Sequence, residues 1–131
     1  MDTEWNRVLA LCDAIRAGGG SNAAEDLETV YDVLLSCADY VRCVVASETL
    51  RVQRGGMDSA ELGARFEELD HRRTHCHDGM ITNIRMLNNL CILYQVPPLY
   101  LGDEDRAHYG DFAIALVHDI FDARQRGVTF L

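Results

Sequence analysis

Eight consecutive residues near the middle of the chain, His71-Arg72-Arg73-Thr74-His75-Cys76-His77-Asp78, concentrate side chains that can titrate, bind metals or transfer protons. They lie in a long stretch that has the apolar periodicity of a single helix. At about 100° per residue, the titratable side chains separate into two stripes on opposite sides of that helix. Each stripe fits a different chemistry, and each also has a purely structural interpretation.

The outer stripe consists of His71, His75 and Asp78, with the two histidines four residues apart and the aspartate one turn further on. Two imidazoles and a carboxylate on one helix face are suitable ligands for zinc or iron. A single helix rarely supplies a whole metal site, however. The alternative is an ordinary solvated helix face, and this alternative is favoured, so no cofactor is expected.

The inner stripe consists of Asp70, Arg73 and His77, at positions i, i+3 and i+7. The apolar pattern predicts that Arg73 faces the core, where a guanidinium must be paired because burying it alone is very costly. Asp70, one turn away, is a natural partner, and Asp39 and Asp111 on neighbouring helices are others. Asn88 lies further along the same edge. The group is either a structural polar network or a small pocket in which His77 carries a proton or binds an anion.

The charge balance restricts the possible partners. Twelve basic residues against twenty-one acidic ones give a net charge of −9, which disfavours binding to nucleic acid. All twelve basic residues are arginine, so a Walker A lysine, a Schiff-base lysine and a pyridoxal-phosphate anchor are excluded. No apolar run is long enough for a membrane span, and the N-terminus does not have the pattern of a signal peptide, so a cytoplasmic protein is expected.

The five cysteines are odd in number and include no CxxC pair. Four of them fall among apolar residues at helical spacing. Reduced, buried thiols are therefore predicted, in preference to a disulfide framework or a zinc site.

Four helices are predicted, with breaks at Gly18-Gly19-Gly20, Gly55-Gly56 and Pro97-Pro98. They run from about residue 3 to 17, from 22 to about 54, from about 58 to 95, and from about 106 to 126. Asn22 and Asp58 are each followed three residues later by glutamate, which is the spacing of a capping box. The sequence therefore predicts one domain, residues 1–131: an all-α four-helix bundle with a long central helix at about residues 58–95.

The second and third helices carry more apolar side chains than one face of a helix needs. On the second helix the main predicted stripe is widened by a flank. The stripe is Leu27, Tyr31, Leu34, Ala38, Val41 and Val45, and the flank is Val30, Val33, Cys37 and Val44. This excess predicts a further helical neighbour, so the leading hypothesis is a non-enzymatic interaction module that forms a homodimer.

The second half of the chain contains several short motifs that together resemble a known family. They are His77-Asp78-Gly79-Met80-Ile81, Leu87-Asn88-Asn89-Leu90-Cys91, Val96-Pro97-Pro98-Leu99-Tyr100, Gly102-Asp103, Asp105-Arg106 and Gly110-Asp111-Phe112. Together they resemble an uncharacterised bacterial family, domain-of-unknown-function family 3232, over roughly residues 70–125. The resemblance implies a small helical bacterial protein and brings no assigned activity. It points to His77, Asp78, Asn88, Arg106 and Asp111 as the place for a shared polar site.

Two further hypotheses remain open. The second hypothesis, motivated by the negative charge, is an acidic inhibitor such as an immunity or anti-defence protein. It would cover a basic partner surface, or mimic nucleic acid. The third is a metal-dependent hydrolase or a small-ligand protein built on the Asp70, Arg73 and His77 region. The pair His77-Asp78 is similar to that of the metal-dependent phosphohydrolases named for the dipeptide. Those enzymes place their first histidine on a separate helix, whereas His71 precedes His77 on the same one.

Overall fold

The described residues of the chain form four α-helices. A computed structural model describes residues 4–56, 58–98 and 106–125. The helices are α1 (Glu4–Gly18), α2 (Ala23–Gln53), α3 (Ser59–Leu93) and α4 (Arg106–Gln125), with 3-10 turns at Gly20–Asn22 and Arg54–Gly56. The predicted all-α fold with four helices is confirmed, and the described ranges contain no strand. None of the helices described is both long and apolar enough to cross a bilayer.

The helix ends follow the predicted breaks, with differences in how each end is capped. Gly20 has a φ of 55°, the left-handed conformation that glycine adopts easily. Asp58 stands at the N-cap of α3 with extended backbone, but its side chain makes no capping hydrogen bond. At the other end of α3, Gln95 takes the left-handed conformation and the Val96 amide donates to the Cys91 carbonyl at 3.0 Å. This is the Schellman arrangement, with glutamine in the place that glycine usually occupies.

One part of the molecule has a closed apolar core. All four helices contribute to it, and α2 contacts each of the other three. Its largest fully buried side chains include Leu11 and Ile15 of α1, Val30 and Val33 of α2, Met80, Ile84 and Leu87 of α3, and Leu116 of α4. We call the residues outside 41–78, as far as they are described, the body of the protein.

The other part is a two-helix hairpin that we call the arm, residues 41–78. It joins the second half of α2 to the first half of α3, and at 1.5 Å per residue the α3 half is about 30 Å long. No described residue of α3 before Met80 is buried, although Leu62, Phe66 and Leu69 follow helical spacing towards α2. In the α2 half only Cys43 and Leu50 are buried. The predicted long third helix is present. Its buried residues begin at Met80, in the half that belongs to the body.

The side of α2 that packs into the core is the predicted flank, and the main predicted stripe is less covered. Val30, Val33 and Cys37 are buried, whereas Tyr31 and Val45 are exposed. A second apolar stripe runs along the outer face of α2 at alternating steps of four and three residues. Its positions are Tyr31, Leu35, Ala38, Arg42, Val45, Thr49 and Val52, and we call them the outer stripe of α2.

Candidate functional site

The titratable segment at residues 71–78 lies where the arm meets the body. His77 is half-buried and its ring lies 5.2 Å from the ring of Tyr40, centroid to centroid, at 57°. The Tyr40 hydroxyl in turn lies over Gly110 of α4, where a Cβ atom would come within 2.7 Å of it. His77 of α3 therefore lies against Tyr40 of α2, which in turn packs against α4.

The prediction that Arg73 faces the core is wrong. Its side chain is 46% exposed and its Nη2 lies 3.1 Å from Oδ1 of Asp70, which is 69% exposed. The predicted pairing with Asp70 is confirmed, while Asp39, one of the two other candidate partners, pairs with Arg42 at 2.7 Å. The apolar pattern continues through Arg73, but this half of α3 is not enclosed, so a stripe position there meets solvent. An exposed pair of this kind contributes less than about 1 kcal/mol.

The stripe of His71, His75 and Asp78 on α3 is exposed on the arm. Among the residues that the structure describes, no three histidine, cysteine, aspartate or glutamate side chains are placed to hold a metal ion. The i, i+4 spacing of the histidines puts them on one face, and no described residue of another helix adds a ligand to it.

The other candidate residues are spread along the molecule. Asn88 is half-buried and lies eleven residues beyond His77, about 16 Å along the axis of α3. Asp111 is exposed on α4. The side chain of Arg106, and the acidic residues 103–105 before it, lie outside the described residues. The predicted polar site at His77, Asp78, Asn88, Arg106 and Asp111 therefore stays a prediction.

A cluster that spacing did not reveal lies one turn into the arm. Cys43 of α2 is buried, Cys76 of α3 is half-buried, and their sulfur atoms are 3.8 Å apart. Burial, the contact with Cys43 and the nearby Asp39 carboxylate raise the pKa of the Cys76 thiol, while the Arg72 guanidinium opposes them. The two cysteines are distant in sequence, so only the packing of the hairpin brings them together. The one signal in the sequence was that Cys76 falls on the apolar stripe of the third helix and that Cys43 has apolar neighbours in the second.

An open groove runs along the arm beside this pair of thiols. It consists of two adjoining cavities of about 350 Å³ and 550 Å³ that share Ala46, Leu69 and Arg72. The first reaches Cys43 and Cys76, and the second continues towards the hairpin tip past Leu50. The floor is therefore apolar, and charged side chains of both helices stand along the rim.

The charges of the arm are nearly balanced and locally paired. Five arginines of the arm are each within 4 Å of a carboxylate three or four residues away on the same helix. The pairs are Arg42–Asp39, Arg51–Glu48, Arg65–Glu61, Arg72–Glu68 and Arg73–Asp70. In the sequence, residues 41–78 contain seven acidic and six basic residues, whereas the remaining residues contain fourteen acidic and six basic. The net charge of −9 is thus almost entirely carried by the rest of the chain.

A hydrogen bond between side chains joins two helices of the body at the end opposite the arm. The Tyr94 hydroxyl donates a hydrogen bond to the Asp26 carboxylate, and its ring lies against the turn at Gly18 and Gly19. Donating that bond to a carboxylate, together with burial, raises the pKa of Tyr94. The bond joins the end of α3 to the first turns of α2, beside the end of α1. At the other end of α1, burial raises the pKa of Glu4 against the opposing effect of Arg7.

A family model described as "Protein of unknown function (DUF3232)" matches residues 6–126. The chain belongs to this family, and the predicted resemblance is confirmed and extends well before residue 70. No curated protein and no solved structure matches the chain. The description of this family assigns no activity. The functional proposals below therefore rest on the geometry of the arm and the body.

Proposed function

We propose that this member of domain-of-unknown-function family 3232 is a non-enzymatic interaction module that acts as a homodimer through the outer stripe of α2, which runs from the body into the arm. The observation that carries the proposal is the outer stripe of α2. Four of its seven positions are large apolar residues that are exposed: Tyr31, Leu35, Val45 and Val52. Val45 is 57% and Val52 is 83% exposed, although neither has a polar atom in its side chain.

The spacing of the outer stripe of α2 suits packing against another helix. Alternating steps of four and three residues keep side chains on the seam of a left-handed coiled coil, so a straight partner helix can follow the stripe over its whole length. From Tyr31 to Val52 the stripe extends about 32 Å. Arg42 interrupts it near the middle and is held by Asp39. A single polar position of that kind fixes the register of two helices rather than preventing their contact.

A second copy of this chain is the partner that the charges favour. The arm has balanced, locally paired charges, so two arms approach each other without strong repulsion. The excess negative charge lies outside the arm and repels the corresponding charge of the second copy, which favours contact along the arm half of the stripe. Added salt screens that repulsion, so the homodimer should be strengthened by salt.

The test is the molar mass in solution, measured by light scattering during size-exclusion chromatography. Wild-type protein is expected to have the mass of two chains, and Val45→Glu with Val52→Glu the mass of one, because both side chains are solvent-exposed in the single chain and tolerate charge there. The matched control is Ile92→Glu, which introduces the same charge at an exposed apolar residue of the body and should leave the dimer intact. A monomeric wild type, or a dimer broken by Ile92→Glu alone, would contradict the proposal.

A second candidate, an acidic inhibitor of a basic partner, is favoured by the concentration of negative charge outside the arm. Such binding would use the body and would weaken as salt is added, the opposite of the homodimer. Titration with a polyarginine peptide at low and high salt distinguishes the two. The inhibitor hypothesis requires tight binding that neutral substitutions on the body's acidic residues reduce and that Val45→Glu does not change.

A further inference from the structure

We propose that Cys43 and Cys76 form a dithiol site that exchanges with small anionic disulfides and closes into a reversible disulfide across the arm. This inference is independent of the homodimer, because both cysteines belong to one chain. It adds a modification site to a protein whose cysteines the sequence predicted to be inert. Three observations carry it: the distance between the sulfurs, their access to solvent, and the charges beside them.

The first observation is the distance. The two sulfur atoms are already in contact at 3.8 Å, on facing helices of the hairpin. A disulfide bond is about 2.05 Å long, so the sulfurs need to approach by less than about 2 Å, within the reach of side-chain rotation. Closing the bond would leave the helices in place and join them at the end of the arm nearest the body.

The second observation is access. The cavity of about 350 Å³ reaches both sulfurs from solvent, and Cys76, the less buried of the two, is the one a reagent meets first. The other three cysteines, Cys12, Cys37 and Cys91, are fully buried in the body. Burial also raises the pKa of Cys37 to about 12, which leaves almost no thiolate for reaction.

The third observation is charge. Arg42 and Arg72 line the same cavity, one from each helix, and their guanidinium groups can attract carboxylates. Asp39, which pairs with Arg42, also lines the cavity, and Arg72 pairs with Glu68, so the attraction for an anion is moderate. Oxidised glutathione, a tripeptide disulfide that carries several carboxylates, has the required chemistry.

The exchange proceeds in two balanced steps. The Cys76 thiol loses its proton and attacks one sulfur of oxidised glutathione, forming a mixed disulfide and releasing one glutathione thiolate, which takes up a proton. The Cys43 thiol then loses its proton and attacks the Cys76 sulfur, forming the Cys43–Cys76 bond and releasing the second glutathione. The protein loses two electrons and two protons, and the glutathione disulfide gains them. Reduced glutathione in excess reverses both steps.

The experiment is disulfide mapping after incubation of the native protein with oxidised glutathione at mildly alkaline pH. Cleavage after arginine places each cysteine on its own peptide, so every linkage can be assigned. Cys43 lies on residues 43–51 and Cys76 on residues 74–85. The expected product has lost two hydrogen atoms and contains these two peptides linked, with Cys12, Cys37 and Cys91 still free. A stable mixed disulfide, a linkage of any other pair, a link between two chains on a non-reducing gel, or no reaction would overturn the proposal.

Thermal unfolding gives a second readout. Closing the loop between residues 43 and 76 should raise the midpoint of the oxidised protein by about 10 °C over the reduced protein. Cys76→Ser should abolish that difference, and Cys12→Ala, which leaves the pair intact, should retain it. An equal oxidation-dependent shift in Cys76→Ser would show that another pair is responsible.

Discussion

The arm and the body share two helices and differ in what covers them. In the body, α2 and α3 are packed with α1 and α4, and Val30, Met80 and Ile84 are fully buried. In the arm the same two helices continue with only each other for cover, and apolar side chains such as Val45 and Val52 remain exposed. The charges differ as well: acidic and basic residues are nearly balanced on the arm, and the excess of acidic residues lies in the rest of the chain. The body is thus a self-contained folding unit, and the arm offers a surface that is suited to a partner.

The largest expected effect separates the two regions by stability. Leu116→Ala in the body should lower the free energy of unfolding by about 2–5 kcal/mol, since it removes a fully buried side chain and leaves a cavity. Leu62→Ala in the arm, where the leucine is half-buried, should cost about 1 kcal/mol. Urea denaturation at a concentration that favours single chains measures both. Equal losses would contradict the division into a closed body and an open arm.

Glycines of the two regions should respond in opposite directions. A Cβ atom at Gly19 would lie 2.7 Å from the Ile15 carbonyl oxygen and 2.9 Å from the Tyr94 hydroxyl, so Gly19→Ala should destabilise the protein by about 1–3 kcal/mol. A Cβ atom at Gly63 meets nothing within 4 Å. Gly63→Ala should therefore stabilise the arm by about 0.5–1 kcal/mol, because alanine favours the helix. The same denaturation experiment tests both variants, and a destabilising Gly63→Ala would mean that the arm is covered there.

The smallest expected effect is a pH dependence that belongs to the body alone. The pKa of Tyr94 is raised by its hydrogen bond to Asp26 and by burial. The folded protein therefore holds this proton more tightly than the unfolded chain. The stabilisation is fully present below the ordinary tyrosine value of about 10 and is lost as the pH rises through the folded value.

Tyr94→Phe should accordingly be less stable than wild type at pH 7 and should lose less stability above pH 10. Denaturation midpoints measured from pH 7 to 12 test this. Tyr31→Phe, compared at a concentration that favours single chains, is the control, because Tyr31 is exposed on α2 in the single chain and its substitution should leave the alkaline slope unchanged. Parallel curves for wild type and Tyr94→Phe would show that the hydrogen bond does not contribute.

Much of the fold could be predicted from local signals. Consecutive glycines and prolines marked the helix ends, and the apolar period marked the helices, since both act over a few residues. The position of Arg73 could not be predicted in this way. Periodicity shows which residues share a face, but whether that face is buried depends on how many helices surround it. The contact between Cys43 and Cys76 was also hidden, because it depends on the register of two distant segments.

Amide hydrogen exchange, followed at low and high protein concentration, tests the central claim most directly. If the arm is an open hairpin that a second copy covers, amides of residues 41–56 and 58–78 should exchange faster than those of the body at low concentration. At high concentration the α2 amides around Val45 and Val52 should become several-fold more protected, while exchange around Ile84 and Leu116 stays unchanged. Concentration-independent exchange along the arm, or new protection confined to the body, would contradict the account.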